Sequence, residues 1–273
     1  MYSDFSRHHI DDPGQIPFDA AAYSKFKFGD GDIARAFGQE LGRHFVELHG
    51  DALLAEENIV FVPSPYHAIP TASNALSLFF RDEVNRFLFR HQRKSLLQSK
   101  IHRYKTYTVD YGNLDFEERM RLISSDTYHL DKHFLEGRMV LFIDDIKITG
   151  SHEQIIRQQL EREEIKGRFV FVYYAQLMNK AIPPNFENYL NYFAVKDRSD
   201  LVTIINEDNF IMNTRIIKYI LKSDPVDLMA FIHALREERL PEMVNYAIGN
   251  NYHLMEDYQH NLMLITNHIN YGN

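Results

Sequence analysis

Apolar residues recur along the chain with two periods, which predict alternating helices and strands. Between positions 32 and 48 they return every three to four residues, which predicts a helix that starts at Asp32 and stops at Gly50. Similar periods predict helices over residues 70–92 and roughly 152–164. Three runs are almost entirely apolar and have the length of buried strands: 58–63, 139–143 and 168–174.

Strands that are apolar on both faces and alternate with helices are typical of a parallel sheet that helices cover on both sides. We therefore predict the α/β fold class. Residues 93–112 show no clear period and indicate a loop or a loose hairpin, and a short helix is expected over 114–123.

Changes in residue composition and periodicity along the chain predict four regions. Residues 1–22 are expected to be a poorly ordered or peripheral lead-in, and 23–182 the α/β core. Residues 183–207 suggest extra strands, and 208–273 a helical C-terminal subdomain with breaks near Asp224, Pro241 and Gly249. The apolar stripes of these last helices must pack on the core or on a second subunit, and a homodimer is the favoured expectation.

Composition narrows the classes of function. The 273 residues include no cysteine, which excludes disulfides, cysteine-type zinc sites and a cysteine nucleophile. The formal net charge of −8 argues against DNA binding by the whole surface. The sequence has no apolar run of about 20 residues and no apolar signal-peptide core, so we expect a cytoplasmic protein without a membrane partner.

The segment with the clearest chemistry follows the second predicted strand. Asp144 and Asp145 stand where the strand ends, at the edge where open α/β sheets bind ligands. The turn Thr149-Gly150-Ser151 then leads into a helix whose first amides lack intrahelical partners, an arrangement that suits a phosphate. Carboxylates beside a phosphate cradle indicate a sugar-phosphate site, and the acids could also hold Mg²⁺ through water.

Two other interpretations of this segment start from the same residues. Adjacent aspartates after a strand can simply cap the following turn. A phosphatase of the haloacid dehalogenase type needs carboxylates two residues apart, but the residue two after Asp144 is Ile146, which argues against that class.

Residues 140–151 resemble the PRPP-binding signature of type I phosphoribosyltransferases: four apolar residues, two acids, and a turn that ends in Thr-Gly. PRPP is 5-phosphoribosyl diphosphate. Three further segments resemble the ComF-like branch of that family, and together the similarities span residues 23–180. They are the lead-in 23–30, the segment 62–65 after the first predicted strand, and Glu117-Glu118-Arg119.

The resemblance implies a type I phosphoribosyltransferase-like (Rossmann-like) fold and a role for each matching residue. Asp144 and Asp145 would hold the ribose hydroxyls and Mg²⁺. The pyrophosphate loop would be Pro65, Tyr66 and His67. The 5-phosphate would be held by Lys147, Thr149, Gly150, Ser151 and His152.

The chain also departs from the family pattern. Ile148 stands where purine-salvage members carry a proposed general base, so a 6-oxopurine acceptor is not expected. His152 replaces a phosphate-binding Thr or Ser. The resemblance implies transfer of ribose 5-phosphate from PRPP, with Mg²⁺, to an unidentified base or amine in nucleotide metabolism. The alternative is a non-catalytic PRPP- or nucleotide-binding regulatory protein on the same fold.

Seven basic residues and no acidic residue lie between Arg86 and Val109. The resemblance implies that part of this run is a mobile basic loop that neutralises the leaving pyrophosphate. The loop would include Lys100, Arg103 and Lys105. The alternatives are a solvated surface or contact with single-stranded nucleic acid, of which the second is the less favoured. His129 and His133 have a spacing that suits helical metal ligands, but no third ligand is evident, so no transition metal is expected.

Overall fold

A computed structural model describes residues 1–103 and 128–271, together with 115, 117, 118 and 120. Five strands form one parallel sheet in the order β1-β7-β6-β2-β3, and β4 and β5 form a separate antiparallel pair. The strands are β1 (Tyr2–Ile10), β2 (Ile59–Pro63), β3 (Leu97–Gln98), β4 (His102–Arg103), β5 (Tyr128–His129), β6 (Met139–Lys147) and β7 (Arg168–Leu177).

Helices connect the strands and make up the C-terminal third of the chain. They are α1 (Ala20–Lys27), α2 (Gly31–Ala55), α3 (Ala72–Arg90), α4 (Lys132–Leu135), α5 (Ser151–Arg162), α6 (Phe186–Asn191), α7 (Arg198–Ile205), α8 (Thr214–Leu221), α9 (Pro225–Ala234), α10 (Arg239–Gly249) and α11 (Glu256–Tyr271). Within the part of the chain that the structure describes, none of them has the length and apolar character of a membrane span.

The sheet is buried on both faces, which confirms the predicted fold class. Side chains alternate along a strand, so successive residues of β6 enter different cores. Leu141 and Ile143 pack with residues of α1, α2 and α3, whereas Val140 and Phe142 pack with Ile156 of α5 and its neighbours. A strand with apolar neighbours on both sides must be apolar throughout, and this is the pattern that the sequence shows.

The first long helix is longer than predicted at both ends. Its N-cap is Asp30, whose carboxylate accepts from the amide of Ile33, and not Asp32. The helix also continues through Gly50 to Ala55. A Cβ at Gly50 would lie 2.9 Å from the ring of Phe87, so this glycine permits close packing of α2 on α3 instead of ending the helix.

The N-terminal segment was expected to be poorly ordered or peripheral; it is peripheral, but it is an ordered strand. Residues Tyr2–Ile10 form β1, the edge strand, which pairs in parallel with β7 from Phe169 to Leu177. Its exposed residues Ser3, Asp4 and His9 do not lie on one face, so the strand lacks the alternation expected of a half-buried strand. Backbone pairing with β7 therefore decides its conformation.

Residues 183–207 form helices, where the sequence suggested strands. Asp197 caps α7 by accepting from the amides of Ser199 and Asp200. The β-branched content of the segment favoured a strand, but Leu201, Ile204 and Ile205 are buried at helical spacing. Capping and burial on one helical face outweigh the intrinsic preference of these residues.

The helices after α6 build a further apolar cluster, which also includes Phe28 and Ile69 from the α/β part. Backbone bonds join the two parts: the amide of Ile211 donates to the carbonyl of Gly29 at 2.9 Å. Most residues of the apolar stripes predicted for the C-terminal helices are buried within the chain itself, whereas Leu254 is exposed. The homodimer and the domain boundaries remain predictions. The short helix expected over 114–123 falls mostly outside the described residues.

Candidate functional site

A cavity of about 1040 Å³ opens at the carboxyl edge of the sheet. One wall is formed by residues 64–67, which follow β2, and by residues 144–153, from the end of β6 to the start of α5. The facing wall comes from the C-terminal helices. Parallel strands that end at a common edge bring these two segments together, as the fold class requires. Every predicted site residue within the described chain lines this cavity except Lys100.

Asp145 is the more deeply buried member of the acid pair and is already bound within the chain. Its Oδ2 accepts from the Tyr23 hydroxyl at 2.7 Å and lies 2.5 Å from Nζ of Lys27. Burial, together with the charge of Asp144, raises the pKa of Asp145 despite the neighbouring ammonium of Lys27. Both partners come from α1, so the lead-in segment that resembles the ComF-like branch supplies part of the site.

Asp144 faces the cavity in a different environment. Its Oδ1 accepts from the amide of Asp145 at 2.9 Å, and its Oδ2 lies 3.4 Å from Nδ1 of His152. Burial alone would raise the pKa of Asp144, but the hydrogen bond and charge of His152 and a hydrogen bond from Ser64 outweigh it, so the pKa is lowered. Asp144 is therefore the more available anion of the pair.

The turn after β6 has the geometry that a phosphate cradle needs. Gly150 is the N-cap of α5 and has a φ of 77°, a left-handed conformation that favours glycine. The Thr149 hydroxyl donates to Oγ of Ser151 at 3.0 Å, which holds both hydroxyls at the start of the helix. Helix N-termini bind anions through their first amides and the helix dipole.

Lys147 and His152 are engaged differently from the roles that the resemblance implies. Nζ of Lys147 pairs with Asp4 at 2.9 Å and with Glu153 at 2.7 Å. Although burial opposes it, these hydrogen bonds raise the pKa of Lys147. Nδ1 of His152 lies 3.4 Å from Oδ2 of Asp144. Both residues line the cavity, but each already has a carboxylate partner, so a phosphate would have to compete with those carboxylates.

The segment after β2 borders the cavity with Pro65, Tyr66 and His67. Nδ1 of His67 lies 2.9 Å from the carbonyl of Arg103, which can accept from it, and the Lys100 ammonium sits 4.5 Å from the Tyr66 ring centroid. The start of the predicted basic loop therefore packs against the predicted pyrophosphate loop.

The C-terminal part braces that loop, which the sequence did not reveal. Oδ1 of Asn250 accepts from the amides of Ala68 and Ile69 at 2.9 and 3.2 Å, and Oγ1 of Thr214 donates to the carbonyl of Ile69 at 3.0 Å. Asn250 is 3% exposed, so its side-chain amide bonds to protein groups rather than to water. The contacts span more than 140 residues, and no local pattern signals them.

The described residues of the basic run, from Arg86 to Arg103, are divided among several elements. Its first members belong to the end of α3 and the segment after it: Arg86 pairs with Glu83, and Lys94 with Glu57. Arg103 lines the cavity, and Lys105 lies outside the described residues. The mobility predicted for this segment remains a prediction.

Basic side chains of the C-terminal part also line the cavity, and sequence reasoning missed them. They are Lys196, Arg198, Arg215, Lys218 and Lys222. The signal was present: positions 215, 218 and 222 follow the spacing of one helical face. It was overlooked because the apolar stripe of the same helix was the stronger pattern.

The part of the chain that the structure describes contains no group of three or more His, Asp or Glu side chains placed to hold a metal ion. His129 lies in β5 and His133 in α4, so the two histidines do not share one helix face.

Comparisons with known proteins found one family model and several solved structures that are similar to this chain. A family model described as PRTase ComF-like matches residues 1–265. Among solved structures, hypoxanthine-guanine phosphoribosyltransferase of L. donovani is 14% identical, with a TM-score of 0.32 over 53% of this chain and 68% of that chain. The Trypanosoma cruzi hypoxanthine phosphoribosyltransferase in complex with IMP is 13% identical, with a TM-score of 0.33 over 56% and 75%. No curated protein matches the chain. The family assignment rests on the sequence match.

Proposed function

The chain belongs to the ComF-like family of phosphoribosyltransferases, and on this premise we propose that it binds PRPP in the cavity and transfers ribose 5-phosphate to an acceptor base or amine. The observation that carries the proposal is that Asp144 and the Thr149–Ser151 turn border the same cavity as the 65–67 loop. A carboxylate, a helix N-terminus and a facing loop are the groups needed for ribose hydroxyls, 5-phosphate and diphosphate.

In this proposal Asp144 accepts from a ribose hydroxyl, and the Ser151 hydroxyl and the first amides of α5 donate to the 5-phosphate. The Thr149 hydroxyl holds Ser151 in place. The bond between the anomeric carbon and the diphosphate oxygen breaks with its electron pair on oxygen. The acceptor's lone pair forms the new bond, and its proton passes to solvent. Positioning and charge neutralisation supply the catalysis, and no covalent nucleophile is needed.

The donor chemistry of the site fits Mg²⁺ only in company with the substrate. Mg²⁺ prefers oxygen ligands and usually combines one or two carboxylates with substrate phosphates. Asp144 is the carboxylate that would hold it, because Lys27 and Tyr23 already bind Asp145. When bound, the ion would neutralise charge on the leaving diphosphate.

Calorimetric titration of PRPP with Mg²⁺ tests the proposal. We expect binding to the wild type and a Kd raised about tenfold or more in Asp144→Asn, because hydrogen bonds to a charged group contribute about 1.5–3 kcal/mol. Asp11→Asn, an exposed aspartate outside the cavity, is the control and should bind like the wild type. Failure of the wild type to bind, or unchanged affinity in Asp144→Asn, contradicts the proposal.

The alternative is a non-catalytic PRPP- or nucleotide-binding protein. It is favoured by the ion pair of Lys27 with Asp145, which engages one of the two acids, and by Ile148 at the place of a general base. Pyrophosphate release from PRPP across a panel of bases and amines separates the two functions: release supports transfer, and binding without release supports the alternative.

A further inference from the structure

The ion pair between Lys27 and Asp145 borders the cavity, although both side chains are almost completely shielded from solvent. The side chain of Lys27 is 10% exposed and that of Asp145 is 8% exposed, and both residues line the cavity. Nζ of Lys27 lies 2.5 Å from Oδ2 of Asp145. The proposed transfer assigns a ribose hydroxyl to Asp144 and leaves the ammonium of Lys27 without a role toward the ligand.

Helix stability does not explain why this lysine is buried. Lys25 and Lys27 both stand in the last turn of α1, where the helix dipole favours a cation. Lys25 is exposed and gains this benefit without leaving water. A buried ion pair is also weak evidence of stabilisation, because apolar residues of similar volume are often equally stable in its place. The burial of Lys27 beside the cavity therefore needs a reason other than stability.

The pair has hydrogen-bonding capacity that the described residues do not use. An ammonium has three N–H donors, and Nζ of Lys27 has one acceptor among the described residues, Oδ2 of Asp145. That oxygen also accepts from the Tyr23 hydroxyl, whereas Oδ1 of Asp145 accepts from no described residue. Buried polar atoms normally have partners. A ligand group that both donates and accepts would use this capacity.

A hydroxyl is the group that fits the pair. Asp145 neutralises the charge of Lys27, so the ammonium offers hydrogen bonds and no excess charge for a phosphate, which would also meet both carboxylates. A hydroxyl has one O–H donor and two acceptor lone pairs. It can therefore donate to Oδ1 of Asp145 and accept from Nζ of Lys27 at the same time. Asp144 is the adjacent residue, and a vicinal diol presents two hydroxyls.

We propose that Lys27 donates to a second ribose hydroxyl, next to the one that donates to Asp144, and thereby determines specificity for ribose. The proposal rests on the proposed function. The family resemblance implies contacts from the two carboxylates, and the donor contact from Lys27 is the addition. An analogue without the hydroxyl would leave the buried donor unpaired, and sites built to hydrogen-bond a substrate hydroxyl reject such analogues strongly.

Three sugar phosphates, titrated calorimetrically into the full chain with EDTA present, test the proposal without any variant. 2-Deoxyribose 5-phosphate lacks the 2-hydroxyl, and xylose 5-phosphate has the 3-hydroxyl inverted. We expect ribose 5-phosphate to bind about tenfold or more tightly than each analogue, because one hydroxyl meets Asp144 and the other meets Lys27 and Asp145. Equal affinity for ribose 5-phosphate and either analogue overturns the proposal.

Single variants isolate the donor. In Lys27→Met the preference over one analogue should fall below about threefold, while the preference that depends on Asp144 is kept. Lys27→Arg keeps a cation with N–H donors beside Asp145 and should restore part of the lost preference. Lys25→Met, an exposed lysine of the same helix outside the cavity, is the control and should behave like the wild type. Wild-type preferences in Lys27→Met overturn the proposal.

A triple variant keeps the test valid if Lys27→Met does not fold. Tyr23→Phe/Lys27→Met/Asp145→Leu replaces the whole polar group with apolar side chains and leaves no buried charge unpaired. It should lose the same preference and bind inorganic phosphate within about threefold of the wild type, because the phosphate is held at the start of α5. Retained preference, or an inorganic phosphate affinity about tenfold weaker, overturns the proposal, the latter because Lys27 would then serve the phosphate.

The two proposals fail in different ways. A wild type that does not bind PRPP with Mg²⁺ but still distinguishes the sugar phosphates refutes the proposed function and leaves the hydroxyl site standing. A wild type that binds PRPP but does not distinguish ribose 5-phosphate from the analogues refutes the role of Lys27 alone.

Discussion

Lys27 and Asp145 are 118 residues apart in the sequence and form a buried ion pair at the floor of the cavity. Removing one partner of such a pair leaves a charge that neither water nor protein satisfies. The Tyr23 hydroxyl adds a hydrogen bond to the same carboxylate, and burial beside Asp145 raises the pKa of Tyr23 well above its usual value. The phenol therefore stays protonated and remains a donor.

We expect Lys27→Met to lower the free energy of unfolding by about 3–5 kcal/mol, since it leaves Asp145 buried and unpaired. Lys25→Met is the matched control, because Lys25 lies two residues earlier in α1 and is exposed. Urea unfolding of both variants measures the difference. Equal stability of the two variants would show that the pair is not important for folding.

The lowered pKa of Asp144 makes stability depend on pH in a defined direction. A carboxyl group whose pKa is lower in the folded state contributes stability above its unfolded pKa, and this contribution is lost as the pH falls through the folded pKa. His152→Gln removes the charge that lowers the pKa. The stability difference between wild type and variant should therefore be larger near about pH 5 than near about pH 3. Urea unfolding at both values is the measurement, and a difference independent of pH would contradict it.

At the scale of elements, the turn between β6 and α5 depends on one backbone conformation. Gly150 and Gly137 both have positive φ, 77° and 73°, and a Cβ would meet only Lys147 Cε at 3.5 Å in the first case and nothing within 4 Å in the second. An added Cβ would therefore meet no steric clash at either position, and only the left-handed backbone conformation would disfavour alanine. The two glycines differ in place: one caps α5 at the cavity, and the other follows α4 away from it.

Alanine at either position should cost about 1–2 kcal/mol of stability, which is the strain of a left-handed residue with a Cβ. Only Gly150→Ala should weaken PRPP binding, because relief of that strain moves the amides at the start of α5. Thermal unfolding and PRPP titration of both variants measure the two effects. PRPP affinity that falls equally in both variants, or in neither, would count against a phosphate site at this turn.

At the scale of the whole molecule, the C-terminal helices complete the cavity and hold its loops. Asn250 binds the amides of Ala68 and Ile69, 182 and 181 residues away, and Asn213 donates to the carbonyl of Lys27 at 3.3 Å. The same helices bury Phe28, which follows α1. Hydrogen bonds and apolar packing therefore join the proposed PRPP site to the C-terminal part.

We expect Asn250→Ala to destabilise the chain by about 1–3 kcal/mol, because the buried amide of Ile69 loses its acceptor and the partly buried amide of Ala68 loses the same acceptor. Asn261→Ala is the control: Asn261 is also buried, but it donates to the carbonyls of Leu221 and Ser223 within the C-terminal part. Amide hydrogen exchange at Ala68 and Ile69 should accelerate in Asn250→Ala only. Unchanged exchange at these two amides would show that Asn250 does not brace the loop.

The sequence by itself determined the sheet class, the three central strands and the turn 149–151. These features follow from local periodicity and from residue types, such as Gly150, that suit one conformation. The ion pair with Lys27 and the bracing by Asn250 came only from the tertiary structure. Each joins residues far apart in the chain, and their meeting depends on how helices pack on the sheet. Local propensity carries no information about such packing. The edge strand Tyr2–Ile10 belongs with them, because its hydrogen bonds to β7, and not its own pattern, make it a strand.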